Sequence, residues 1–204
     1  MTRIELLTGR LLMRAWRDSD IEPFAALNSD PQVMRWFPAA VSKAATEQMV
    51  ARLDEVHARL GFTLWAVEVL ESERGPADFV GFVGLIEASF DPPFPHALPC
   101  VEVGWRLAAP WWGLGIATEA AQAALQHGFS AAALTEIVSF TVPPNLQSQR
   151  VMQKLGMRYD GVFTHPRAQP TNWWAPHVLY RIAVQDQRGD VGYRPDERVD
   201  GPLR

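Results

Sequence analysis

Val101-Glu102-Val103-Gly104-Trp105-Arg106-Leu107, followed by Ala108-Ala109-Pro110-Trp111-Trp112-Gly113-Leu114-Gly115-Ile116-Ala117-Thr118, decides the fold. The first seven residues alternate as a strand does, and an alanine-rich helix over 118–129 follows the glycines. Gly113 and Gly115 therefore stand just before a helix start near Ala117. The first N–H groups of a helix have no intrahelical partner. The macrodipole adds roughly half a positive charge at that end. Glycine lets a bulky anion come close to the main chain. Together these features make a diphosphate cradle without a basic side chain, to which Thr118 adds a hydroxyl.

A dinucleotide fingerprint requires a third small residue and an acidic residue about 20 positions later, in an opening βαβ unit. Here Thr118 takes the third position and the strand comes fourth in the chain, after a hairpin. A Gly-Lys-Ser/Thr P-loop is absent. A nucleotide or dinucleotide binder is therefore disfavoured.

Upstream, a strand is expected over 11–16, then a helix capped by Asp18 or Asp20 through Leu27. A short helical turn over 33–37 follows Ser29-Asp30-Pro31. Ser42 caps a longer helix with an apolar stripe of Ala45, Met49, Leu53, Val56 and Leu60, and Gly61 ends it. Strands over 62–69 and 79–86, joined by a turn over 73–78, form an antiparallel hairpin. The proline-rich stretch 91–99 is a loop of functional or mobile character. Downstream come a strand over 137–142, a helix over 145–155 closed by Gly156, and strands over 159–163 and 178–183. The order β-α-α-β-β-β-α-β-α-β-β predicts an α/β fold: a mixed sheet with helices packed on its faces.

The bulk properties narrow the class. At 204 residues, 48% hydrophobic, the chain suffices for one domain, expected over 1–185 with a polar tail over 186–204. A net charge of −4 disfavours a nucleic-acid partner. The single Cys100 excludes an internal disulfide and a thiolate metal cluster, and a reducing, cytoplasmic compartment is expected. No stretch approaches a signal peptide or membrane span, so no membrane association is expected. The five histidines show no metal-pair spacing, so no metal is expected.

Glu102 to Leu107 with Ala108 to Ala120 resembles the central motif of the GNAT N-acetyltransferases, of the RimJ/RimL-like subgroup. The family pattern Gln/Arg-x-x-Gly-x-Gly/Ala lies over Trp112 to Ala117. Asn145-Leu146-Gln147-Ser148-Gln149-Arg150-Val151-Met152-Gln153-Lys154-Leu155-Gly156-Met157 is similar to the second family motif, Asn-x-x-Ser-x-Arg-Val-x-x-Lys-x-Gly-Met/Phe. Arg10-Leu11-Leu12-Met13-Arg14 and Ser29-Asp30-Pro31-Gln32-Val33-Met34 also look like this subgroup, so the resemblance runs from about Arg10 to Ala183.

The resemblance implies a mostly antiparallel sheet splayed beside the central strand, and acetyl-CoA as acyl donor. It places the pyrophosphate on main-chain groups of Gly113, Leu114, Gly115, Ile116, Ala117 and Thr118. The pantetheine arm pairs with the main chain of Trp105, Arg106 and Leu107, and Asn145 and Ser148 face the thiol end. Trp112 replaces the family's basic or amide residue and removes a phosphate contact, for which Arg150 or Arg106 is a candidate substitute.

Glu102 is the candidate general base, acting through water. Met152 stands where many members carry an acidic tyrosine, leaving Ser148 as the nearby candidate acid, with Tyr159 and Tyr180 remoter. An α-amine, with a pKa near ~8, is neutral at pH 7 roughly two hundred times more often than a lysine near ~10.4. That favours a protein N-terminus as acceptor, in line with the subgroup. Polyamines and aminoglycosides are the small-amine alternatives, for which Asp91 with Glu87 is the one acidic seed. A non-catalytic acyl-CoA-binding domain is the further alternative. Trp173-Trp174 suits either the acceptor pocket or a homodimer contact.

Overall fold

The computed structural model describes residues 3–70 and 78–189. Among these, eight strands form one sheet: β1 (Leu6–Leu7), β2 (Leu11–Arg14), β3 (Leu64–Val69), β4 (Asp78–Glu87), β5 (Val101–Leu107), β6 (Glu136–Thr141), β7 (Arg158–Thr164) and β8 (Pro176–Ala183). Their order is β1-β2-β3-β4-β5-β6-β8-β7. Every neighbouring pair is antiparallel except β5 and β6. The helices are α1 (Ile21–Ser29), α2 (Pro31–Met34), α3 (Lys43–Leu60), α4 (Ile116–Ser130) and α5 (Leu146–Lys154). The mixed, mostly antiparallel sheet with helices on both faces matches the expectation from sequence. The short β1, paired with β2, is an addition to it.

Alternation along β5 sorts the two sides of the molecule. Val101, Val103, Trp105 and Leu107 pack into a core with Ile116, Ala120 and Ala124 of α4 and Met152 of α5. On the opposite face Phe82 joins Trp16, Phe24, Leu53 and Leu64 beneath α1, α2 and α3. Burying side chains such as Phe24 and Leu53 stabilises the fold by about 1.5–3 kcal/mol each. A third cluster, Cys100, Val138, Phe163 and Leu179, lies under the proline-rich loop. That loop is anchored: the Phe94 ring meets Phe163 at 5.0 Å, and Arg181 Nη2 donates to the Pro95 carbonyl at 2.7 Å. Phe94 covers the cluster, while Leu98 of the same loop is exposed.

Several local expectations need correction. Ser42 does cap α3, accepting from Ala45 N at 3.2 Å, and Gly61 ends it at φ 73°. The buried face, however, runs through Thr46, Leu53 and His57, and Ala45 is exposed. Thr46 is drawn inward because its hydroxyl accepts from Asn28 Nδ2 at 2.9 Å and donates to the Ser42 carbonyl at 3.0 Å. Asp20 precedes α1 but makes no side-chain cap. Its carboxylate instead holds buried Arg14 at 2.7 and 2.9 Å. The short helix starts earlier than expected, at Pro31, where Asp30 caps it by accepting from Gln32 N at 2.8 Å. The expected turn over 73–78 lies largely outside the described residues. The expected tail, from 186, begins inside a 3-10 turn over Val184–Gly189, where Asp186 accepts from Ala183 N at 3.1 Å. Residues 190–204 lie outside the described residues.

Candidate active site

The strands β5 and β6 share one paired position, Glu102 with Val138. Ser139 Oγ adds a bond to the Val103 carbonyl at 2.9 Å. Beyond that point β5 remains fully paired to β4 on its other edge but has no partner on this one. A cleft of about 800 Å³ opens there, between Gly104 to Leu107 on one side and Phe140 to Val142 on the other. Main-chain groups of an open strand edge are free to pair with an extended ligand.

The glycine turn closes one end of this cleft. After β5, a 3-10 turn over Ala109–Trp111 brings Trp112 back so that its Nε1 donates to the Leu107 carbonyl at 2.8 Å. Gly113 and Gly115 then adopt φ of 77° and 82°, a left-handed region that disfavours side chains. The helix α4 starts at Ile116 with Gly115 as its N-cap and no side chain capping its first N–H groups. Glu119 in this first turn is held from behind. It accepts from Thr8 Oγ1 at 2.6 Å and from Arg10 Nη2 at 2.6 Å, while Arg10 Nη1 donates to the Leu114 carbonyl at 3.1 Å. Burial alone would raise the Glu119 carboxyl, but the Thr8 and Arg10 bonds hold it below the usual carboxylate range.

The N-terminal end of α5 forms another part of the wall. Asn145 Oδ1 caps the helix by accepting from Ser148 N at 3.3 Å, and Asn145 Nδ2 donates to Thr141 Oγ1 and Ser148 Oγ, each at 3.0 Å. The amide is thus committed to holding Ser148. The Ser148 hydroxyl accepts that bond and lines the cleft, with its own hydrogen directed to no protein acceptor among the described residues. Arg150 and Lys154, four apart on α5, add two cations to the lining.

Glu102, Gly104 and Arg106 project from the other face of β5. Glu102 lines the cleft without a hydrogen-bond partner among the described residues. It keeps some surface, but that surface belongs to the enclosed cleft, and burial pushes its carboxyl up to about 8. Around it the walls are aromatic: Trp36, Phe37, Phe90, Phe140 and Trp174, with His165 and His177. Burial lowers both histidines, His177 to about 4, so both rings are neutral at pH 7.

This fold and cleft can be set beside known proteins. Residues 10–158 match the family model described as the acetyltransferase (GNAT) domain. The chain belongs to the GNAT acetyltransferase family. This GNAT chain is 28% identical over 174 residues to the uncharacterized N-acetyltransferase YnaD of Bacillus subtilis, covering 84% of this chain and 92% of that protein. Its fold superposes on a GNAT-family acetyltransferase from Bacillus anthracis with a TM-score of 0.70 at 26% identity, over 88% of this chain and 98% of that one. Mycobacterium smegmatis RimJ, solved in complex with CoA-disulfide, shares the fold with a TM-score of 0.69 at 22% identity, over 90% of this chain and 89% of that one. The protein is an acyltransferase of the GNAT N-acetyltransferase type.

In this GNAT domain the cleft gathers nearly all the residues singled out from sequence: Glu102, Trp105, Arg106, Leu107, Trp112, Gly113, Gly115, Ile116, Ala117, Thr118, Asn145, Ser148 and Arg150 all line it. Leu114 does not; its side chain is 45% exposed outside, and its carbonyl serves Arg10. The Arg106 guanidinium lies on the α1–α3 face, with Asn28 and Phe37, across the sheet from α4. It is therefore not placed to give the phosphates the cation that Trp112 does not supply. Tyr159 and Tyr180 are absent from the lining, and Tyr180 OH bonds Gln149 at 3.3 Å instead. Trp173 and Trp174 divide: Trp174 lines the cleft against His165, while Trp173 is exposed. Glu87 and Asp91 lie outside the lining, and Glu87 pairs with Arg59 at 3.4 Å. Sequence reasoning missed the brace of Thr8 and Arg10 on Glu119, which spans more than 100 positions and has no local signature. Among the described residues no three metal-ligating side chains cluster, and no helix is long and apolar enough to cross a membrane.

Proposed function

We propose that this enzyme transfers an acetyl group from acetyl-CoA to the α-amine of a peptide N-terminus, acting as one domain over 1–185. The observation carrying this reading is the meeting, in one cleft, of the glycine turn at a helix start, the open edge of β5, Glu102 and Ser148. The chain fits the donor. A Cβ built at Gly113 would meet no atom within 4 Å, so the space before the main chain is open. The N–H groups from Gly113 to Thr118 would hold the diphosphate. Arg150 and Lys154 are cations available to its phosphates, and the free edge of Trp105, Arg106 and Leu107 would align the pantetheine arm.

When bound, acetyl-CoA supplies a thioester whose carbonyl carbon is the electrophile. A main-chain N–H of the open edge polarises its oxygen. Glu102, as the carboxylate, takes the proton of the incoming ammonium through water. Ser148 would give its hydroxyl proton to the departing sulfur and be reprotonated, through water, by the proton that the attacking nitrogen loses as the amide forms. The aromatic walls limit water around the amine.

Charge supports an α-amine over a polycation. Glu102 is the one carboxylate among the described lining residues, against Arg106, Arg150, Lys154 and Arg167. A polyamine or aminoglycoside entering this cleft meets repulsion.

The test is mass-spectrometric acetylation of three acceptors at pH 7: peptides with free N-termini, N-blocked peptides carrying one lysine, and spermidine. We expect kcat/KM at least about ten-fold higher for the free N-termini. Faster reaction of lysine or spermidine would reject the reading.

A further inference from the structure

Among the described residues, the arginines Arg14 and Arg106 are both drawn into the fold, and they are treated differently. Arg14 is 3% exposed and faces two carboxylates, Asp20 at 2.7 Å and Glu68. Arg106 faces none among the described residues. Its Nη1 donates to Asn28 Oδ1 at 2.6 Å. Its Nε is buried without an acceptor; its Nη2, which is not buried in that way, makes no hydrogen bond to the described residues and is the donor left for a ligand. The guanidinium lies 4.1 Å from the Phe37 ring centroid and 5.4 Å from that of Phe82. Burial pushes its pKa down to about 10, which still leaves it charged at pH 7.

An enclosed cation with unfilled donors is costly unless an anion meets it. The side chain lines the cleft, so that anion can arrive with a ligand. The donor's phosphates are not the natural candidate, because the first turn of α4 packs on the core side of β5 through Ile116 and Ala120, whereas the Arg106 guanidinium meets Asn28 and Phe37 on the other. The same face of β5 carries Glu102, four residues away; Gly104 stands between them, and a Cβ there would meet only Glu102 Oε1, at 3.8 Å.

We infer that Arg106 anchors a carboxylate carried by the acceptor, its planar fork held by Asn28 and Phe37 while the amine lies near Glu102. This rests on the α-amine reading above and names the acceptor more narrowly. Glu102 and Arg106 are roughly 13 Å apart along the strand at 3.3 Å per residue. With the reach of both side chains subtracted, an extended peptide brings an Asp or Glu at about its second or third position onto Arg106. The selected acceptor is therefore an acidic N-terminal peptide.

The experiment compares kcat/KM for Ser-Glu-Ala amide, Ser-Gln-Ala amide and free glutamate. The wild-type enzyme should prefer the Glu peptide over the Gln peptide by about ten-fold or more, the discrimination of one charge-assisted hydrogen bond. Arg106→Gln should bring that ratio near one, and Arg106→Lys, which keeps charge without the fork, should restore part of it. A wild-type ratio near one overturns the inference while leaving α-amine acetylation standing. So does a higher acetyl-CoA KM in Arg106→Gln with the acceptor ratio intact, which would move Arg106 to the donor. A preference for free glutamate overturns the peptide assignment. If neither peptide is acetylated, the α-amine reading fails, and calorimetry with N-acetylated Ser-Glu-Ala and Ser-Gln-Ala amides still tests the anchor. Tighter binding of the Glu form, lost in Arg106→Gln, upholds it; equal binding rejects it.

Discussion

Asn145 Nδ2 donates to Ser148 Oγ at 3.0 Å, while Asn145 Oδ1 accepts from the Ser148 main chain at 3.3 Å. One amide therefore caps α5 and fixes the hydroxyl that faces the cleft. The two tasks separate by mutation. Ser148→Ala keeps the main-chain cap, so stability should change by no more than about 1 kcal/mol. Its kcat should fall about 100-fold if the hydroxyl is the proton donor. Asn145→Ala removes the cap and should cost about 1 kcal/mol of stability in addition to activity. Steady-state kinetics beside denaturant unfolding would read both, and an unchanged kcat in Ser148→Ala would remove Ser148 from the chemistry.

Glu102 gives the pH dependence. Burial raises its carboxyl to about 8, and the general base proposed for it is the deprotonated form. The kcat/KM profile should therefore climb with pH through about 8, and Glu102→Gln should lower the rate and abolish that limb. Stability runs the other way. The unfolded chain loses this proton near 4.5, whereas the folded one keeps it to about 8. The folded state then binds more protons across that window, so its stability falls as pH rises from about 4.5 to 8. Glu102→Gln should remove this part of the decline, measured as Tm against pH.

Gly113 tests the cradle. Because a Cβ there meets no protein atom, Gly113→Val should not clash within the fold. Its strain at φ 77° should cost about 1–2 kcal/mol. The added side chain would occupy the space before the N–H groups. Calorimetry should show acetyl-CoA binding weakened by well over ten-fold. Binding close to wild type would place the diphosphate elsewhere.

The brace on Glu119 makes a paired prediction. Arg10→Ala leaves the carboxylate uncompensated beside the proposed diphosphate, and acetyl-CoA affinity should drop on the order of three- to ten-fold at low salt. Adding Glu119→Gln should recover most of that affinity. If the double variant binds no better than Arg10→Ala, the brace acts through Leu114 geometry and not through charge.

Sequence patterns exposed whatever is encoded over a few neighbouring residues. Asn145 before α5, Ser42 and Gly61 around α3, and Gly115 before α4 were legible because caps and left-handed turns have local chemical requirements. The splay was expected only through the family resemblance, since divergence of two strands leaves no mark in either one. What local patterns hid was polar and long-range. Asn28 bonds Thr46, 18 positions on, and Arg106, 78 positions on, and the first of these bonds brings Thr46 inward beside the apolar stripe of α3. Buried polar residues have no periodic signature, because their placement depends on a distant partner. The side of β5 that Arg106 occupies was readable by alternation; that no acid among the described residues pairs with it was not.

The lone paired position between β5 and β6 has a mechanical consequence. The sheet behaves as two plates, β1 to β5 and β6 to β8, riveted at Glu102 and Val138 with the Ser139 hydroxyl beside the joint. On the proposed reading, a pantetheine arm laid in the gap would be a ninth strand that the chain does not encode, and rigidity across the middle of the molecule would belong to the complex, rising with ligand concentration as mass action requires.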